Sequence, residues 1–200
     1  GIAGFIEGAT SIAPLPMTII ISMVMGILLT SPLSSAAIAI TIRLGLNPAS
    51  LDPTSSLGIA GGAAVVGTSI QMLGFALQSR KDNSFGMVLS IAFGTSMLQF
   101  KNILRKPVIW LPTIIASGIA APIIVLLFHT KTTFTGAGMG TSGLVGPLQT
   151  LFAMDYSLNA FISIGLIFVL GLSLVYVFDL FLRKKGSIVD GDFNVLNDIV

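Results

Sequence analysis

The sequence contains no cysteine, a single histidine, a single glutamate and only 9% charged residues. Without cysteine there is no disulfide, no thiolate metal site and no phosphocysteine domain, and one histidine cannot build an imidazole cluster or relay. No Walker loop, HExxH helix or Ser-His-Asp set can be drawn, so no cofactor, no metal and no independent catalytic centre is expected. The shortage of charge has the widest consequence. A soluble domain carries ~25% charged residues, whereas here 54% of residues are apolar and the mean hydropathy is +0.97. Five stretches of at least 23 residues, 8–42, 53–79, 107–130, 132–154 and 156–178, hold no Asp, Glu, Lys or Arg. About 20 apolar residues at ~1.5 Å each cross a ~30 Å hydrocarbon core, so the medium around most of this chain is lipid.

The charges that remain are placed at segment ends. Arg80-Lys81, Lys101/Arg105/Lys106 and Arg183-Lys184-Lys185 form three basic clusters, which read as topology signals rather than as a nucleic-acid face. Setting all three on the cytoplasmic side puts the C-terminus inside. Residues 57–79 and 157–182 then run outside to inside, and 107–130 inside to outside. Arg43 and the Leu51-Asp52-Pro53 turn fall outside. The first apolar stretch, from Pro14 to Ile42, is expected to enter from inside and to break at residues 30–35, where Pro32 deletes a backbone donor.

Two apolar segments do not span on this reading. Residues 83–100 begin and end beside basic clusters, so the segment dips in and returns or lies along the interface. Residues 132–154 begin and end outside, and their string from Phe134 to Pro147 holds five glycines. Glycine disfavours a continuous helix by ~1 kcal/mol and permits loop geometry closed to other residues, so this piece reads as a re-entrant loop from the opposite face. The triplet Gly-Thr-Ser recurs at 67–69, 94–96 and 140–142. The plain reading is close helix packing through small residues. The sharper one takes the last two triplets as re-entrant tips offering hydroxyls and free amides near the midplane, as in transporter sites built from discontinuous segments. No long internal repeat is visible.

The strings Thr30-Ser-Pro-Leu-Ser-Ser-Ala-Ala-Ile-Ala-Ile40, Phe93-Gly-Thr-Ser-Met-Leu-Gln99 and Gly136-Ala-Gly-Met-Gly-Thr-Ser-Gly-Leu-Val-Gly146 resemble a family of bacterial multi-pass membrane proteins. It is the IIC subunit family of the sugar phosphotransferase system, in its EIIC type 2 group. Pro107-x-x-Trp110-x-Pro112 and Phe181-Leu-Arg-Lys-Lys-Gly186 extend the likeness to residues 14–190. Members are usually nearer ~350 residues, and the chain resembles their second half, which implies the C-terminal portion of a longer permease. The resemblance implies an all-α, polytopic transmembrane bundle with a broken helix and two re-entrant segments, one half of an inverted-repeat transporter. The membrane domain would cover 1–186 and a cytoplasmic tail 187–200, in the bacterial plasma membrane, with cytoplasmic IIA/IIB proteins as partners and a homodimer as the assembly.

Candidate site residues follow from the same places. Glu7, in Gly4-Phe5-Ile6-Glu7-Gly8-Ala9, resembles the glutamate-glycine-alanine turn of fructose-type subunits, and a carboxylate can accept several sugar hydroxyls. Its other reading is a loop residue before the first helix. Ser31 and Ser34 sit at the break of the first stretch. Thr95, Ser96 and Gln99 belong to the inner dip, and Gly138, Gly140, Thr141 and Ser142 to the outer one. Each hydroxyl could instead bond back to its own helix. Gln71 and Gln99 need partners wherever they lie, from a ligand or a neighbouring helix. Asp179, four residues before Arg183, reads as an interfacial ion pair; the eight methionines read as packing. The expected activity is translocation of a sugar or polyol through a site between the broken first helix and the two re-entrant loops. An ion- or proton-coupled secondary transporter of another solute and a non-transporting receptor stand beside it.

Overall fold

A computed structural model describes residues 1–52 and 55–196; Pro53 of the expected outer turn and Asp198 of the tail lie outside the described residues. The helices in chain order are α1 (Ile2–Ile12), α2 (Pro14–Thr30), α3 (Ser35–Thr41), α4 (Leu57–Ser79), α5 (Phe85–Phe93), α6 (Phe100–Arg105), α7 (Leu111–Phe128), α8 (Phe134–Ala137), α9 (Val145–Ala153), α10 (Leu158–Leu166) and α11 (Leu172–Lys184). A π turn, Ile167–Gly171, joins the last two into one continuous rod. Among the described residues the only β pairing is an isolated bridge between Leu46 and Thr133. The fold is an all-α membrane bundle.

The centre of the bundle is α4. Its most apolar 18-residue window is 94% buried, against 22% for the window within Leu158–Lys184. The cause is in the sequence: α4 carries five glycines, and each admits a neighbour at a distance a methyl group would block. Gly67 lies against the Ser22 backbone of α2, Gly62 against the Thr130 carbonyl, Gly61 against Gly45 and Gly74 against Thr113 of α7. These contacts also fix directions. Ser22 meets Gly67 and Gly26 meets Gln71, so α2 runs parallel to α4. Thr113 meets Gly74 while Thr130 meets Gly62, so α7 runs antiparallel. Gly171 meets Ile70 and Val175 meets Gly74, so the final rod is parallel to α4 again.

Among the described residues three helices are long and apolar enough to cross a bilayer: Leu57–Ser79, Pro107–Phe128 and Leu158–Lys184. They coincide with the three spans expected from the charge-free stretches. All three basic clusters gather at the face where α4 ends, here the carboxy face: Arg80 caps α4, Lys106 pairs with Asp192 of the tail, and Arg183 donates to the Gln78 carbonyl.

The first apolar stretch departs from expectation. It breaks where Pro32 predicts, but it does not cross. Because α2 is parallel to α4, it enters from the face where α4 begins, the amino face, and α3 turns back toward that same face. Residues 41–43 there line a hollow with residues 1–3, and Gly45 packs on Gly61. The reason is steric. The glycines of α4 accept α2 side by side, while the Ser34 N-cap, accepting the Ala37 N–H at 3.2 Å, starts a new helix after the break in a different direction.

Residues 83–106 form a hairpin rooted on the carboxy face, with its two helical legs bent by 117° at Gly94-Thr95. Residues 131–154 form a second hairpin rooted on the amino face, where the Lys131 N–H meets the Met154 sulfur at 3.5 Å and so closes its base. Each hairpin is followed by a crossing helix, so residues 83–128 and 131–184 repeat one order, hairpin then span, in opposite directions. The tail folds back onto the carboxy face, with Phe193 and Ile188 buried.

Candidate functional site

Three interruptions in helical structure meet in the middle of the bundle. From the amino face, α2 brings the break at residues 31–34; from the carboxy face the hairpin 83–106 brings Gly94-Thr95-Ser96; from the amino face again the hairpin 131–154 brings residues 138–144. Hydrogen bonds stitch them together. Thr30 and Ser96 share one between their hydroxyls at 3.2 Å, Ser35 Oγ donates to the Gly138 carbonyl at 2.7 Å, and Ser142 Oγ donates to the Gly94 carbonyl at 2.8 Å. Thr141 Oγ1 donates to the Ala92 carbonyl at 2.5 Å. Backbone oxygens freed by the breaks are thereby satisfied by side chains from another segment, as depth in a bilayer demands.

The amino-face tip depends on backbone geometry few residues allow. Gly140 has φ +55°, and a Cβ there would lie 2.8 Å from the Thr68 carbonyl carbon. Gly143 and Leu144 follow with φ of 54° and 60°. Gly138 and Gly146 serve by close approach, the first to α3 and the second to Gly140.

Between the three interruptions lies a cavity of about 290 Å³, at the lower end of the ~300–1,000 Å³ usual for small-molecule sites. Ser34, Ser35, Thr95 and Ser142 bring hydroxyls to its lining and Met72, Met97 and Met139 bring thioethers, and among the described residues no charged side chain lines it. It opens past Pro32 and Leu33, both exposed. Ser34 Oγ accepts the Ala37 N–H and Thr95 Oγ1 accepts the Met97 N–H, at 3.2 Å each. Both hydroxyls keep a proton to donate into the cavity.

Of the residues singled out by sequence, Ser34, Thr95, Gly138 and Ser142 line this cavity. Ser96, Gly140 and Thr141 stand behind the wall and hold its shape. Ser31 bonds back to Leu28 of its own helix at 2.8 Å. Gln99 is turned to the tail, its amide nitrogen donating to the Phe193 carbonyl at 2.9 Å and its oxygen accepting from Asn102 at 2.8 Å. Gln71 is fully buried against Gly26 of α2, with no hydrogen-bond partner at either amide atom. Glu7 stands apart. Its carboxylate accepts from Ser55 at 3.0 Å and its carbonyl from Ser56 at 2.9 Å, at the start of α4. Met72 is 16 residues further along α4, roughly 24 Å at the rise of an α-helix.

Sequence reading missed Ser35 and the three methionines. Met97 and Met139 each sit beside a Gly-Thr-Ser triplet or within its glycine string, a signal that was present but reads as packing on composition alone. Among the described residues no group of His, Cys, Asp or Glu is arranged to hold a metal.

The sequence of this chain matches the family described as "Phosphotransferase system, EIIC" over residues 1–195, nearly its whole length. The chain belongs to that family. It is a multi-pass membrane protein and a permease subunit of the EIIC kind, and the three interruptions lie within the matched region. Neither a curated protein nor a solved structure matches it.

Proposed function

We propose that this EIIC chain passes a sugar or polyol through the cavity between the α2–α3 break and the two hairpin tips. The observation that supports this most is the convergence of the interruptions: irregular backbone from opposite faces meets around a hollow lined by both hydroxyls and methionines. A sugar ring can use both, with hydroxyls at its edge and C–H groups on its faces. The uncharged lining favours a neutral solute over an ion, since an unpaired charge at such depth is costly.

In this reading Ser34 and Thr95 donate to the solute, and Gly138 and Ser142 complete the lining. Ser35, Ser96, Gly140 and Thr141 hold the wall in place. The carboxy face is cytoplasmic, because it carries every basic cluster. Phosphoryl transfer is performed there by separate phosphotransferase proteins, and this chain contributes position rather than chemistry.

Uptake by membrane vesicles carrying the intact protein, with and without phosphoenolpyruvate and the soluble phosphotransferase proteins, tests the reading. Accumulation of phosphorylated sugar supports it. Gradient-driven accumulation of unmodified solute overturns it in favour of a secondary transporter, and binding without flux overturns it in favour of a receptor.

A further inference from the structure

The hairpin 83–106 supplies one wall of the cavity, yet it buries little of itself. Of residues 83–106, Ile91, Ala92, Ser96, Gln99, Asn102 and Ile103 are buried, and the rest are exposed or half-buried. What fixes its base is the tail, residues 186–196, which returns across the carboxy face on the positive φ of Gly186 (73°) and Gly191 (98°).

The contacts fall on the start of the hairpin and along its second leg to the root. At its start, Asp82 accepts the Phe193 N–H at 3.1 Å, Asn83 accepts the Val195 N–H at 3.0 Å, and the Asn83 amide donates to the Phe193 carbonyl at 2.7 Å. Along its second leg, Gln99 donates to the same carbonyl and Asn102 to the Asn194 carbonyl at 3.1 Å, and at the root Lys106 pairs with Asp192 at 2.6 Å. One backbone carbonyl, that of Phe193, thus joins both legs. The Phe193 ring is fully buried, 6.4 Å from the Phe75 ring of α4, with the Arg183 guanidinium 5.6 Å from its centroid.

We propose that residues 186–196 are a strap that holds the cavity closed toward the carboxy face, with Phe193 as its catch. The hairpin tip can swing away from Thr141 and Ser142 only if its two legs pivot at their roots, and the strap occupies both roots. Withdrawing Phe193 removes the shared acceptor of Asn83 and Gln99 in one step. The device rests on the reading of the cavity as the solute path.

The absence of native cysteine in this chain makes the test direct. Thr95→Cys places a lone thiol at the hairpin tip, and a membrane-impermeant maleimide applied from the carboxy face reads how often the tip is open. In the intact protein, Phe193→Ala is expected to raise the labelling rate by roughly tenfold or more, as a shifted opening equilibrium would. Ala64→Cys, at a fully buried position in α4, should stay unlabelled in the same background and so reports that the bundle is folded. In the opposite sense, an oxidised Asn83→Cys/Val195→Cys cross-link should push labelling at position 95 below that of the parent.

Unchanged labelling in a folded Phe193→Ala protein overturns the strap, as does unchanged labelling after cross-linking. If Phe193→Ala exposes position 64, the cross-link decides alone. Labelling needs no solute, so these outcomes stand whether or not the uptake experiment supports transport.

Discussion

Thr141 and Ala92 are joined by a hydrogen bond, hydroxyl to carbonyl at 2.5 Å, although their hairpins are rooted on opposite faces of the bundle. That bond closes the cavity at its back. Ser142 and Gly94 make a second link beside it, so the two tips move as a pair or part as a pair. The consequences for substitution differ with each residue's place around this junction.

Gly140 is intolerant of a side chain on two counts. Valine there would meet both a positive φ and the Thr68 backbone, and a β-branched residue is the poorest choice for left-handed geometry. Gly140→Val should insert in the membrane at parental levels and lose solute uptake by at least about tenfold. Normal uptake by this variant would remove the main support for the tip as a wall of the path.

Ser34→Ala and Thr95→Ala each delete one donor into the cavity while leaving its shape. A hydrogen bond to a neutral solute contributes ~0.5–1.5 kcal/mol, so each variant should raise the apparent KM by roughly two- to twelvefold. The Ser34 change also removes the cap of α3, which costs ~0.5–2 kcal/mol in thermal stability. Thr95→Ser, which keeps the donor, should restore the parental KM.

Asp179 is 2% exposed and held by Arg183 at 2.8 Å, with Gln78 donating to its other oxygen at 3.3 Å. Arg183→Met leaves that carboxylate buried without its cation. Breaking a buried pair in this way costs ~3–5 kcal/mol, read as an earlier unfolding transition in detergent. The double variant with Asp179→Leu should recover most of the loss.

Gln71 gives the opposite sign. With neither amide atom partnered and the side chain fully buried, Gln71→Leu removes a desolvation cost of ~1–3 kcal/mol. Thermal stability should rise and uptake should be unchanged. A loss of uptake would show that the amide meets the solute in another state of the protein.

The spans were legible because a bilayer imposes a length, and the charge-free stretches around α4, α7 and the α10–α11 rod meet it. The hairpin tips were legible from glycine, since Gly140 and Gly143 occupy the positive φ that the string from Phe134 to Pro147 suggests. Gln99 was not legible. An amide in an apolar run demands a partner, and nothing local says that the partner is the carbonyl of Phe193, 94 residues away. The Asp179–Arg183 pair was visible because both members share one helix turn.

What the amino-acid order determined by itself is where helices run, where they break and which end of the bundle collects cations, because each of these follows from local chemistry against a fixed membrane thickness. The direction of the first stretch and the particular bonds that join the two tips were decided only in three dimensions. Glycine contacts between α2 and α4 turned the Pro14 helix parallel to its neighbour, and hydroxyls on one segment sought the carbonyls that another had freed. Such pairings join residues about 50 to 100 positions apart, beyond the reach of any local periodicity.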